Sequence, residues 1–121
     1  TFLLVNFRHL TNILLIEADQ WHPLLLSCLG SQRVSTPHLD RLAREGAIFT
    51  QAVCQHPMCM PSRASMLAGQ YPSTLKQWGF SGLCDARTPW MHRYFRQNGY
   101  KVGASGKFHV ACIGEPQWNE L

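Results

Sequence analysis

Long apolar runs are missing from this sequence. Its most hydrophobic stretches, Phe2–Val5 and Ile13–Ile16, last only a few residues, where a membrane-spanning helix needs roughly 20, so no membrane partner is expected. Charge is scarce as well. Only 15% of the 121 residues are charged, and the 11 basic residues, which outnumber the 7 acidic ones, are scattered from Arg8 to Lys107 without a run of three. Scattered cations make no stripe that could track a phosphate backbone, and a nucleic-acid partner is not expected. A signal peptide is not expected either, because Arg8 and His9 cut the apolar opening and no small-residue cleavage site follows. Cysteine is present in an odd number, at 28, 54, 59, 84 and 112. Five thiols cannot all close into intramolecular bridges, which fits a reducing, cytoplasmic compartment and leaves at least one thiol for chemistry.

What is present is 45% hydrophobic, enough for one core. Asn12–Ala18 is an almost continuous apolar run that stops at Asp19-Gln20, the pattern of a buried parallel strand. Thr36-Pro37 starts a helix over Pro37–Glu45, with Leu39, Leu42 and Ala43 on one face and Gly46 as a left-handed stop. Ala47–Val53, rich in β-branched and aromatic residues, is predicted to be the next strand, which completes a βαβ unit. The same punctuation recurs downstream: Thr88-Pro89 opens a helix, Asn98-Gly99 ends it, and Tyr100–Ser105 reads as a further strand. Between the two units, Cys54–Pro61 is a proline-broken loop, Ser62–Ala68 a short helix ended by Gly69, and residues 73–87 a loop.

The chemistry concentrates in Cys59-Met60-Pro61-Ser62-Arg63. A thiol just ahead of a proline-initiated helix faces orphan N–H groups and the positive end of the helix dipole, and Arg63 one turn in adds a fork of donors. The arrangement favours an anion. Cys54, His56 and Cys59 also form a Cys-x-His-x-x-Cys cluster, but a closed zinc site wants a fourth ligand at suitable spacing. Asp19, at the carboxyl edge of the first strand, stands where ligands of open α/β sheets bind.

Cys-x-Pro-Ser-Arg, with Gly69 six residues after the Arg, resembles the signature of the sulfatases, within the alkaline phosphatase superfamily. Residues 12–20 are similar to that family's first strand with its metal ligands, Thr36–Gly46 resembles its Thr-Pro-Asn-Leu-Asp helix, and Gly106-Lys107-Phe108-His109 resembles its Gly-Lys-Trp-His motif. The resemblance covers residues 12–110 and implies an α/β fold. Residues 1–121 would be the N-terminal portion of a mixed, mostly parallel sheet sandwiched by helices, and so an incomplete catalytic domain. It also implies that Cys59 is converted by a formylglycine-generating enzyme to formylglycine, the catalytic nucleophile. Asp19, Gln20 and the modified Cys59 would hold a divalent metal, calcium first, with manganese or magnesium as alternatives. Arg63 and Lys107 would neutralise developing charge and His109 would hydrogen-bond the nucleophile. The implied activity is hydrolysis of a small-molecule sulfate ester.

One departure widens the substrate class. Many members carry two adjacent aspartates after the first strand, whereas this sequence has Asp19-Gln20. That pair resembles the subgroup of choline sulfatases and phosphonate or phosphate-diester hydrolases. The alternatives to a sulfuric ester hydrolase are thus a phosphonate monoester or phosphate diester hydrolase, or a noncatalytic truncated relative.

Overall fold

The computed structural model describes residues 2–5, 11–81, 85 and 87–110; the sequence features at Cys84 and Cys112 lie outside them. In chain order, strands β1 (Phe2–Val5) and β2 (Ile13–Leu15) come first, helices α1 (Pro37–Glu45), α2 (Cys59–Ala68) and α3 (Met91–Gln97) follow, and strand β3 (Lys101–Ala104) comes last. Helix and strand are mixed, as an α/β chain requires. The chain divides into two compact units, one of Thr1–Glu17 with Cys54–Leu121 and the other of Ala18–Val53.

In the first unit β1 lies between β2 and β3. It pairs antiparallel with both, Leu3 facing Leu14 on one side and Gly103 on the other. The expectation of mostly parallel pairing is therefore corrected for the described sheet. For the β1–β2 pair the physical reason is connection length: the short link can close only an antiparallel pair, since parallel neighbours need a crossover of about a dozen residues or more. β2 and β3 run in the same sense but are not neighbours.

Helix α2 is the hub of this unit. Ala64, Leu67 and Ala68, at helical i, i+3, i+4 spacing, are buried together with Leu75 and Trp90, and Leu15, Met91, Ala104, Phe108 and Val110 pack against them. Gly69 ends the helix in the left-handed region at φ 63° with its N–H on the Ser65 carbonyl, while the Ser65 hydroxyl donates to the Gln70 carbonyl at 2.6 Å. Asn98 and Gly99 stop α3 as expected. The Asn98 side-chain amide donates to the Tyr94 carbonyl at 2.8 Å, and Gly99 takes φ 85°. The predicted strand at 100–105 is present as β3.

The second unit holds α1 with the bounds read from the sequence. Its first turn is fixed by a polar cluster. The Ser27 hydroxyl donates to the Asp40 carboxylate at 2.8–2.9 Å, the Cys28 N–H donates to the same group at 2.9 Å, and the Thr36 hydroxyl reaches it at 3.1 Å. Thr36 thus joins this cluster rather than capping the helix with its side chain. Gly46 does not adopt the expected left-handed conformation; its φ is −125°. The expected strand at 47–53 is also absent, and with it the βαβ unit. A strand needs a ladder partner, and this unit contains no strand, so Phe49 and Val53 remain 80% and 86% exposed. Among the described residues no helix is long and apolar enough to cross a membrane.

The hydrogen bond from Ser27, first among several, holds the Asp40 carboxyl below its ordinary 3.8. A carboxyl whose pKa is depressed by folding stabilises the fold above its unfolded pKa and loses that contribution as pH falls through the folded value. Asp40→Asn should therefore unfold at lower urea concentration than the parent at about pH 6, with the gap closing toward about pH 2. Urea titrations followed by circular dichroism at the two pH values check this.

Candidate active site

Four sequence-designated residues, Cys59, Arg63, Lys107 and His109, belong to the first unit, and the structure brings them together at the start of α2. The helix begins at Cys59 rather than at Ser62, with Met58 as N-cap, so the thiol sits on the first turn instead of ahead of it. Pro61 does not mark the start because a proline is tolerated anywhere in the first turn, where N–H groups have no helical acceptor. The Met58 N–H is satisfied outside the helix, by His56 Nδ1 at 3.1 Å. That bond engages His56 in the loop, and no group of three His, Cys, Asp or Glu side chains converges as a metal cage among the described residues. The zinc alternative is not supported.

The segment after β3 folds back over this turn. Gly106 at φ 106° and His109 at φ 47° both lie in the left-handed region, which turns the chain so that His109 Nδ1 comes within 3.2 Å of Cys59 Sγ. The Phe80 ring stacks on the imidazole, with centroids 5.6 Å apart and planes at 18°. Lys107 is exposed, and its carbonyl turns inward. There it accepts a 2.7 Å hydrogen bond from Arg63 Nη1.

Arg63 is only 4% exposed. Its Nη1 also lies 3.3 Å from Glu17 Oε2, an oxygen that is buried and accepts no hydrogen bond among the described residues. Sequence reasoning missed Glu17 and Phe80. Glu17 had a signal, a lone carboxylate inside the apolar run Ile13–Ala18; Phe80 had none.

Asp19 and Gln20 lie in the second unit, both exposed, with Gln20 at φ 58°. Their oxygens are of the right hard type for a divalent cation, but one carboxylate and one amide fall short of the six to eight oxygens, roughly, that calcium takes. The described residues do not complete a cation site.

Comparison with known proteins matches the sulfatase family model to residues 11–117. The chain belongs to the sulfatase family. Similar curated proteins include an ulvan-active sulfatase of Formosa agariphila, 39% identical over 82% of this chain, and the steryl-sulfatase of Mus musculus, 39% identical over 85%. An N-acetylgalactosamine-6-O-sulfatase of Bacteroides thetaiotaomicron is 36% identical over 82%. The matches cover 19–20% of those sulfatases, so the chain spans about a fifth of their length. No solved structure matches.

The buried Arg63–Glu17 pair makes a stability prediction. Removing one partner of a buried pair leaves the other uncompensated, so Arg63→Met should cost roughly 3 kcal/mol, the low end of the usual range because the Glu17 side chain keeps 23% exposure. Adding Glu17→Met should recover most of that loss, since two apolar side chains leave no orphan charge. Chemical denaturation of the two variants against the parent measures both effects.

Proposed function

We propose that this chain carries the nucleophile segment of a formylglycine-dependent sulfuric ester hydrolase, with Cys59 as the modified residue. The observation that carries the reading is the 3.2 Å approach of His109 Nδ1 to Cys59 Sγ on the first turn of α2. An oxygen in place of that sulfur would stand within hydrogen-bond reach of an imidazole able to hold or pass its proton. Formylglycine would supply a hydrated aldehyde, one of whose hydroxyls attacks sulfur and displaces the ester's alcohol, while the other gives up its proton so that the C–O bond to sulfate breaks and the aldehyde re-forms.

The chain's own groups have distinct parts in this reading. His109, oriented by Phe80, serves the proton at position 59. Lys107, exposed on the same turn, meets the negative charge that develops on the ester oxygens. The backbone N–H groups of Cys59 and Met60 have no acceptor within the helix and face the same anion. Asp19 and Gln20 are assigned as contributors to a divalent cation, calcium first, when further oxygen ligands are supplied. Such a cation would draw charge from the ester oxygens.

Asp19-Gln20 favours a second reading of the substrate. An amide in place of a second carboxylate lowers the anionic charge around the cation, which suits a phosphonate monoester or phosphate diester as well as a sulfate ester. Both readings use the same modified Cys59 and the same partner, a formylglycine-generating enzyme. The free thiols at Cys28, Cys54 and Cys59 accord with a reducing compartment.

Co-expression with a formylglycine-generating enzyme tests the assignment. The peptide containing Cys59 should lose its thiol and gain a hydrazide-reactive aldehyde, while Cys28 and Cys54 stay thiols, and Pro61→Ala should abolish the change. Peptide mass spectrometry that finds Cys59 unmodified, while a control sulfatase in the same cells is converted, would refute it.

A further inference from the structure

The proposed chemistry of the site does not use Glu17, yet its carboxylate lies 3.3 Å from Nη1 of the buried Arg63. We propose that Glu17 is a positioning residue that, through Arg63, holds the turn carrying Lys107 and His109 against the first turn of α2. This rests on the catalytic reading of Cys59 and His109 and adds to it the device that sets their separation.

The geometry builds the inference in three steps. Arg63 Nη1 is shared between Glu17 Oε2 at 3.3 Å and the Lys107 carbonyl at 2.7 Å. One guanidinium nitrogen therefore joins the residue that follows β2, the second turn of α2, and the turn after β3. The Lys107 carbonyl lies two residues before His109, and the turn is bent at its two ends by left-handed conformations at Gly106 and His109. Phe108 and Val110 of this turn pack against the core, and the inward Lys107 carbonyl gives its backbone a hydrogen-bonded anchor on α2.

Glu17 is what keeps the anchor in place. A buried cation needs a paired charge, and Glu17 sets one against the same nitrogen that holds the carbonyl. With the carboxylate beside it, the guanidinium stays at 4% exposure and its hydrogen bond to the carbonyl stays dry and strong. Phe80 limits the tilt of the imidazole, and the Arg63 anchor limits its distance from position 59.

A disulfide probe reads that distance without requiring formylglycine, metal or turnover. In the full 121-residue chain carrying His109→Cys, equilibration with oxidised and reduced glutathione gives the effective concentration of Cys59 and the new thiol, measured as the linked peptide pair by mass spectrometry. Glu17→Gln, which keeps the shape and removes the charge, should lower that effective concentration by about tenfold or more. Because Glu17→Gln can also weaken the fold, the double variant Glu17→Met with Arg63→Met is run beside it. It removes the anchor without leaving an orphan charge and should show the same fall while retaining the parent's circular dichroism.

An unchanged effective concentration in a variant that keeps its helical signal overturns the proposal. Loss of helical signal in both variants would make Glu17 a folding residue rather than a positioning one, and overturns it too. A cysteine at 59 that is never converted to formylglycine refutes the catalytic reading and leaves this thiol measurement untouched, so the two failures are told apart.

Discussion

The candidate site depends on a single buried cation. A guanidinium at 4% exposure has left water behind and must recover its lost hydration from the protein. Arg63 does so with groups from two other segments, the Glu17 carboxylate and the Lys107 carbonyl. Those segments are far apart in sequence. A lysine could not do the same job in the same place, since its ammonium is a hydrated point charge without a rigid planar fork. The Arg of Cys-x-Pro-Ser-Arg is therefore as much a structural part as a chemical one.

The composition of α2 makes that burial feasible. Ala64, Ser65 and Ala68 are small, and they let neighbouring elements approach a helix that is buried on most of its surface. Trp90, 1% exposed, and Leu75 fill the space those small residues leave. The apolar packing runs along 64, 67 and 68, while Arg63 points from an adjacent face toward Glu17. Core and site thus share one helix, so the position of the Cys59 turn is set by hydrophobic burial as well as by the ion pair.

Much of the local structure was legible in the sequence. Thr36-Pro37 announces α1 because proline suits the first helical turn, and the bounds at Pro37–Glu45 were read without error. By contrast, α3 starts at Met91 with Trp90 as N-cap, so Pro89 stands just outside the helix it was expected to open. The same rule misplaced the start of α2, because it allows Pro61 to sit one or two residues inside the helix. Ala47–Val53 has strand composition but no ladder partner in its unit, and no local pattern can report a missing partner. The antiparallel sheet was hidden for the same reason, since β1 supplies a neighbour that pairing rules place only after the connection length is known. Cys59, Arg63, Lys107 and His109 were found through motif spacing, and their gathering in one unit needed the fold. Glu17 went unread because a carboxylate in an apolar run reveals its partner only in three dimensions.

The ion pair also decides which groups face an anion. Glu17 offsets part of the charge of Arg63, whose proposed part in neutralising developing charge is shared with Lys107. Pro61 has no N–H, and the Ser62 N–H is committed to the Met58 carbonyl at 3.1 Å. That leaves the Cys59 and Met60 N–H groups, the helix dipole and the Lys107 ammonium. The dipole contributes about 0.3–1 kcal/mol for a charge near the first turn. That is modest beside the roughly 2.7–4 kcal/mol that one preorganised donor supplies in the transition state of other enzymes. On the proposed reading, an ester at this turn would be held weakly in the ground state, and the donors would do most for the charge that appears as the ester bond breaks. Differential stabilisation of that kind raises rate rather than affinity. It requires the His109-bearing turn to be held in register with position 59, and the Arg63 anchor is the contact in the described structure that ties the two together through the backbone.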